Sequence, residues 1–330
     1  MRSKSKRSLM LLALAGLLAL GLFLSMVSGQ VKTSPAALFD FLLGHDQSLK
    51  TIFWELRLPR ALLAFLVGAC LSLAGAILQG YFQNPMADPF VVGVSSGSSL
   101  GAVLCLVLGL DASLAGFSTQ SLFAFLSGYG IVLLVYALSL KKGLFKVETL
   151  LLTGVAAGAL ASSLTSFFLF LRADSYEQAV FWLLGSFQLA SWKQAAAVAP
   201  YLLIGLAVSQ WLAKDMNLLS LGDETAQSLG CPVARVRRIF LATATLLAAV
   251  AVSVSGVIGF VGLVVPHWIR ILIGPDHRFL FPFSALTGGV FLVFCDLIAR
   301  TLLSSTELPI GIITAAVGAP FFIYLLHRKE

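Results

Sequence analysis

Runs of about 18 to 22 apolar residues recur along this chain, each long enough to cross ~30 Å of hydrocarbon as a helix. The clearest are Leu9 to Val27, Ala61 to Phe82, Leu122 to Leu140, Leu150 to Leu171, Gln194 to Leu212, Ile239 to Val257, Phe281 to Ile298 and Ile310 to Leu326. Val91 to Leu110, which opens on a Gly/Ser-rich patch, and Phe260 to Ile273, which is short and carries Pro266, are weaker. Counting both gives ten spans, and an even number puts both termini on one side. Phe181 to Leu189 is too short to cross and reads as a helix lying at the outer surface. The expected fold is an all-α polytopic membrane protein, about ten transmembrane helices in one compact bundle.

Composition agrees. The chain is 58% hydrophobic and 11% charged, with a mean hydropathy of +0.95, against roughly 25% charged residues in soluble domains. A net charge of +7 would suit nucleic acid, but the basic residues are scattered between apolar spans and form no stripe, so no nucleic-acid partner is expected. They orient the spans instead. With the N-terminus cytoplasmic, fourteen of the 22 lysines and arginines fall inside, seven outside, and Arg270 within a span, as the positive-inside tendency requires. Both termini are then cytoplasmic. The first span reads as a helix of the mature protein rather than a cleaved signal peptide. Its apolar run exceeds the usual 7 to 15 residues, and Ser25-Met-Val-Ser-Gly29 is not a clean cleavage site. Cys70, Cys105, Cys231 and Cys295 lie in or beside apolar segments without C-x-x-C spacing and read as small core residues.

One stretch breaks the pattern. Residues 214–238, KDMNLLSLGDETAQSLGCPVARVRR, form a polar insert on the cytoplasmic side. Leu218, Leu219, Leu221, Ala226 and Leu229 recur at near-helical intervals, which describes two short amphipathic helices hinged at Gly222 or Gly230 and closed by Cys231-Pro232. A protein embedded in lipid has reason to keep such a piece if something in water holds it.

Within the spans small residues dominate, as at Gly68, Ala69, Ser72, Ala74, Gly75 and Ala76, and close helix packing in lipid depends on such residues. The spans hold one acid, Asp296, four residues before Arg300; an i, i+4 pair at a helix end accounts for it without proton transport.

Three motif groups point further. Arg57-Leu-Pro-Arg60 precedes the second span; Gln83-Asn-Pro-Met-Ala-Asp-Pro89 follows it, with Gly93-Val-Ser-Ser-Gly97 and Gly101 beyond. Toward the C-terminus come Gly259-Phe-Val-Gly262, Pro266-His267, Arg270, Asp276-His-Arg278, Ala299-Arg300, Glu307-Leu-Pro-Ile-Gly311 and Gly318-Ala-Pro320. Each is weak alone. In this order, from about Arg57 to Leu326, they resemble the FecCD-type (type II) permease subunits of ABC importers for iron chelates, haem and cobalamin.

The resemblance implies a single permease domain over residues 1–330, paired with a second permease chain as a homodimer. Two cytosolic ATPase subunits would sit beneath and a periplasmic or lipid-anchored binding protein would dock above, all in membrane lipid. The chain has no G-x-x-x-x-G-K-[ST] loop, so it is read as a non-enzymatic subunit without cofactor, with ATP and Mg bound by the ATPase. Glu224, Ala226 and Gly230 (E-x-A-x-x-x-G) resemble the coupling helices that seat in the ATPase, with Thr225 departing from the usual Glu-Ala-Ala. By the same resemblance Arg57, Arg60 and Arg300 meet carboxylates of the binding protein, a contact that guanidinium forks suit. Asn84, Pro85 and Met86 would close the path at its cytoplasmic end, together with the loop at Leu144 to Leu150; the alternative for Asn84-Pro85 is a plain loop start. His267 beside Pro266 reads as structural rather than as a metal ligand.

The cargo does not follow from these residues. Iron-siderophore is the first expectation on family breadth, with haem and cobalamin as alternatives. An ion-coupled secondary transporter would need intramembrane carboxylates or histidines, of which the spans supply only Asp296 and His267. An intramembrane enzyme would need a nucleophile with a base, and no such constellation is present.

Overall fold

Lipid offers backbone amides no partners, so an apolar chain satisfies them within helices. In the computed structural model the chain is described over residues 2–29, 31, 33–44, 49–110, 112–114, 117–141, 144–145, 147–172, 176–303 and 306–327. The helices are α1 (Arg2–Val27), α2 (Pro35–Leu42), α3 (Leu58–Tyr81), α4 (Val94–Leu108), α5 (Thr119–Ser139), α6 (Val147–Leu171) and α7 (Tyr176–Leu183). They continue with α8 (Trp192–Trp211), α9 (Ala213–Leu219), α10 (Asp223–Ser228), α11 (Val233–Ser255), α12 (Val261–Ile273), α13 (His277–Thr301) and α14 (Ile310–His327). Two minimal antiparallel ladders, Ser113–Leu114 with Phe117–Ser118 and Leu140–Lys141 with Leu144–Phe145, qualify the all-α expectation.

Among the described residues six helices are long and apolar enough to cross a membrane: α1, α3 with its wide lead-in turns Thr51–Arg57, α5, α6, α11 and α13. α8 qualifies jointly with α9, bent 58° between them, while α4, α12 and α14 are shorter apolar helices. Each of the ten apolar segments is therefore helical. Their lengths are unequal: at 1.5 Å per residue the 13 residues of α12 reach only ~20 Å.

The core is organised around α3, nearly all of which is buried. Glycines let backbones touch. A Cβ on Gly75 would lie 1.9 Å from the Gly262 carbonyl oxygen of α12, and one on Gly68 would lie 2.2 Å from that of Gly288 in α13. This is the close approach expected from the small residues of the second span. The four cysteines are buried and none is in a disulfide.

One expectation changes. The helix anticipated at Phe181 to Leu189 runs instead over α7, and the chain beyond it is non-helical with Phe187 buried. Gly185, at φ +76°, turns the chain. The freed carbonyls of Leu184 and Gly185 accept from Gly311 N (3.1 Å) and Ile310 N (3.0 Å), and Ser186 N donates to Ser255 O at 2.8 Å. Three breaks in helix are thus stitched together by their own backbones.

Candidate functional site: the two ends of the bundle

Chemistry-bearing residues gather at the two ends of the bundle. At one end lies the insert. α9 and α10 meet at Gly222, whose φ of +100° permits the sharp turn between them. Asp223 opens α10 and receives the Arg237 guanidinium through both carboxylate oxygens, while Arg237 Nη1 donates to Tyr81 O at the end of α3 (2.7 Å). The insert is thereby fixed to α3 and α11. Met216, Leu219 and Ala226 are buried beneath it. Glu224 and Gly230 are exposed, as are Leu221 (61%) and Leu229 (59%).

Ala226, read from the sequence as part of the coupling element, is fully buried in the chain's own core, where its small size serves the seating of α10. The large apolar residues that the insert leaves exposed are Leu221 and Leu229.

The loop after α3 lies at the same end. Asn84 Oδ1 accepts from Met86 N at 2.9 Å, a local turn in which Pro85 fixes the backbone. Pro85 and Met86 border a crevice lined by Leu263, Val264, His267 and Phe321. Asn84 and Pro85 also border a cavity of about 220 Å³ that includes Gln79, Ser220, Arg270 and His277. The three residues thus lie between α12, α14 and the insert. The companion loop, Leu144 to Leu150, falls partly outside the described residues. His267 packs edge-on against Phe321, with ring centres 6.2 Å apart.

Polar contacts hold this end together. Gln79 donates to Leu263 O (3.0 Å) and accepts from Arg270 Nη1 (2.9 Å). Asn217 links α9 to the start of α13 through Asp276 (2.8 Å) and His277 N (2.9 Å). Hydrogen bonds from Arg278 hold the Asp276 carboxyl well below the usual carboxylate range; partial burial opposes this, and Asn217 adds to it.

The opposite end carries the arginines expected to meet the binding protein, and each already has partners within the chain. Arg57 is 6% exposed; its guanidinium reaches Thr33 Oγ1 (2.6 Å) and the carbonyls of Met26, Val27 and Val31, around the end of α1. Arg300, 5% exposed, donates to Ser25 O at 3.1 Å. Arg60 bridges two acids, Asp296 (Nη2 to Oδ1, 2.8 Å) and Glu307 (Nη1 to Oε2, 2.9 Å). The local pair read between Asp296 and Arg300 exists at 3.5 Å, but the closer partner of Asp296 is Arg60, from another helix. The physical reason is that an arginine at a span end finds unpaired carbonyls and carboxylates nearer than bulk water.

The fold of this bundle is shared with transporters of known structure. A chain of a metal-chelate type ABC transporter in an inward-facing conformation superposes with a TM-score of 0.86 at 33% identity, covering 96% of this chain and 98% of that one. The fold is that of an ABC transporter permease. The FecCD transport family model matches residues 17–328, so the chain belongs to that family and is a multi-pass protein of the cytoplasmic membrane. Its relatives include the cobalamin import system permease protein BtuC of Halobacterium salinarum, 45% identical over 87% of this chain and 76% of that one. The iron(3+)-hydroxamate import system permease protein FhuG of Bacillus subtilis is 36% identical over the whole of both chains.

Proposed function

We propose that this chain is the translocation subunit of an ATP-binding-cassette importer for a preformed metal chelate. It works as a homodimer with two cytosolic ATPase subunits that bind ATP and Mg, and a binding protein delivers the cargo from outside. The observation that carries the reading is the insert: two short helices anchored by Arg237 and Asp223 on one side, leaving Glu224, Leu221 and Leu229 exposed on the other. A surface held rigid from behind and apolar in front suits a lever seated in a second protein. The insert end is then cytoplasmic, and Asn84, Pro85 and Met86 close the path there.

The opposite end receives the binding protein. Of Arg57, Arg60 and Arg300, Arg60 is the nearest to solvent, with 14% of its side chain exposed. Arg57 and Arg300 hold the ends of α1 and α13 beneath it. Iron-siderophore is the first cargo reading; cobalamin is the second, favoured by the 45% identity to a cobalamin permease.

The test is uptake. Vesicles holding the permease with its ATPase should accumulate chelate from the loaded binding protein only when ATP is inside. Glu224→Arg or Gly230→Pro should abolish that uptake while leaving membrane insertion intact. Wild-type uptake in either variant would show that the insert is not the coupling element.

A further inference from the structure

At the end of the bundle opposite the insert, a cavity of about 470 Å³ opens between α7, the starts of α5 and α8, and the end of α11. Its volume lies within the ~300–1,000 Å³ of small-molecule sites. Its chemistry is narrow. Four of the chain's ten glutamines line it, from four different segments: Gln120 on α5, Gln178 on α7, Gln188 on the linker and Gln194 on α8. Trp182 supplies a flat aromatic wall. Among the described residues no lysine or arginine lines it, and Glu177 is its one ionisable group.

The serines on the wall are already engaged within the protein. Ser118 caps α5, Ser186 accepts from Gln188 N, and Ser255 donates to Ala251 O. The amides are not. Gln120 Nε2 and Gln194 Oε1 are shielded from solvent and have no hydrogen-bond partner. Buried polar atoms are almost always paired, and an orphaned one is costly. Two such atoms on facing helix starts, beside a cavity of ligand size, are best completed by a group from outside.

We propose that this cavity receives the uncharged hydrogen-bonding periphery of the cargo, carboxamide or hydroxamate groups, with an apolar face of the chelate against Trp182. A glutamine presents both a donor and an acceptor, so four of them match neutral amide-like groups. A polycarboxylate chelate would meet Glu177 and no compensating cation. The importer reading supplies the source of the ligand, and this site narrows its class to neutral chelates.

Equilibrium dialysis tests it on the permease–ATPase complex in lipid nanodiscs, with cyanocobalamin, a ferric trihydroxamate and ferric citrate as probes. At least one neutral chelate should be retained about tenfold more tightly than ferric citrate, and Gln120→Ala/Gln194→Ala should remove that preference. Gln188→Arg, at an exposed position that should not disturb folding, should raise ferric citrate retention several-fold. Equal retention of all three probes overturns the proposal. So does an unchanged preference in the double variant, or no gain for ferric citrate in Gln188→Arg. Dialysis needs neither transport nor the binding protein. Failure of ATP-driven uptake for every chelate would therefore refute the importer reading, while the dialysis result still decides the cavity.

Discussion

The two ends of this bundle use the same residue types to opposite purposes. At the arginine end Arg57, Arg60 and Arg300 are turned inward onto Asp296, Glu307, Thr33 and the carbonyls at the end of α1. At the insert end one arginine, Arg237, is buried as an anchor, and the residues in front of it are left in solvent. The first arrangement locks helices to each other. The second holds a surface ready for something else. Charge in the sequence therefore does not by itself tell a lock between helices from a partner's surface, and the comparison breaks if the inward charges prove dispensable or the outward residues prove structural.

The largest expected effect tests the inward side. Asp296→Ala leaves Arg60 and Arg300 close together with their shared acid gone. Stranding a buried charge costs about 3–5 kcal/mol. The variant should lose most of its monodisperse peak in detergent size-exclusion chromatography, and its thermal midpoint should fall sharply. A midpoint within a degree of the parent would show that the cluster is not a lock.

Asp223→Ala makes the matching change at the insert end. Here Arg237 keeps Tyr81 O, and Asp223 is half exposed, so the loss is smaller, about 1–3 kcal/mol. Proteolysis should distinguish the two variants. Asp223→Ala should become cleavable within 213–231 before the bundle melts, whereas Asp296→Ala should become cleavable throughout. Uniform cleavage in both would mean that the insert is not separately anchored.

A third effect, smaller again, concerns pH. The depressed acidity of Asp276 means that its carboxylate contributes stability present in full above the unfolded carboxylate range, near pH ~4. That contribution is lost as pH falls through the lower folded value. The thermal midpoint of the parent should therefore drop on acidification below pH ~4 more steeply than that of Asp276→Asn. Parallel acid limbs would remove Asp276 from the links that tie α9 to α13.

The sequence made the helices legible because apolar length needs no partner to be read, and Gly222 marked the hinge because a positive φ there demands glycine. Contacts between distant residues were not legible. Arg60 and Asp296 are 236 positions apart, and Arg237 and Tyr81 are 156 apart; no local spacing announces either pair. The partners of Arg57 were hidden for a related reason. A cation at the edge of a span looks exposed until the chain leaving α1 wraps its carbonyls around it. The burial of Ala226 was not legible either, because its place in a motif says nothing of what packs over it. The glutamine cavity draws its four amides from segments up to 74 residues apart, which fold alone brings together.

The smallest effect on stability belongs to the outward side, and it should carry the largest functional contrast. Leu221 and Leu229 stand in solvent at either end of α10, where a lone protein has no use for them. Surface substitutions away from special features usually change stability by no more than about 0.5 kcal/mol, so Leu221→Ser/Leu229→Ser should melt with the parent. Apolar side chains buried at the centre of an interface are worth far more there than on a free surface. The double variant should accordingly fail to retain the ATPase on an affinity column at salt concentrations where the parent complex survives. Full retention with an unchanged midpoint would make these leucines incidental. A lowered midpoint would make them structural, and either result would erase the difference between the two ends.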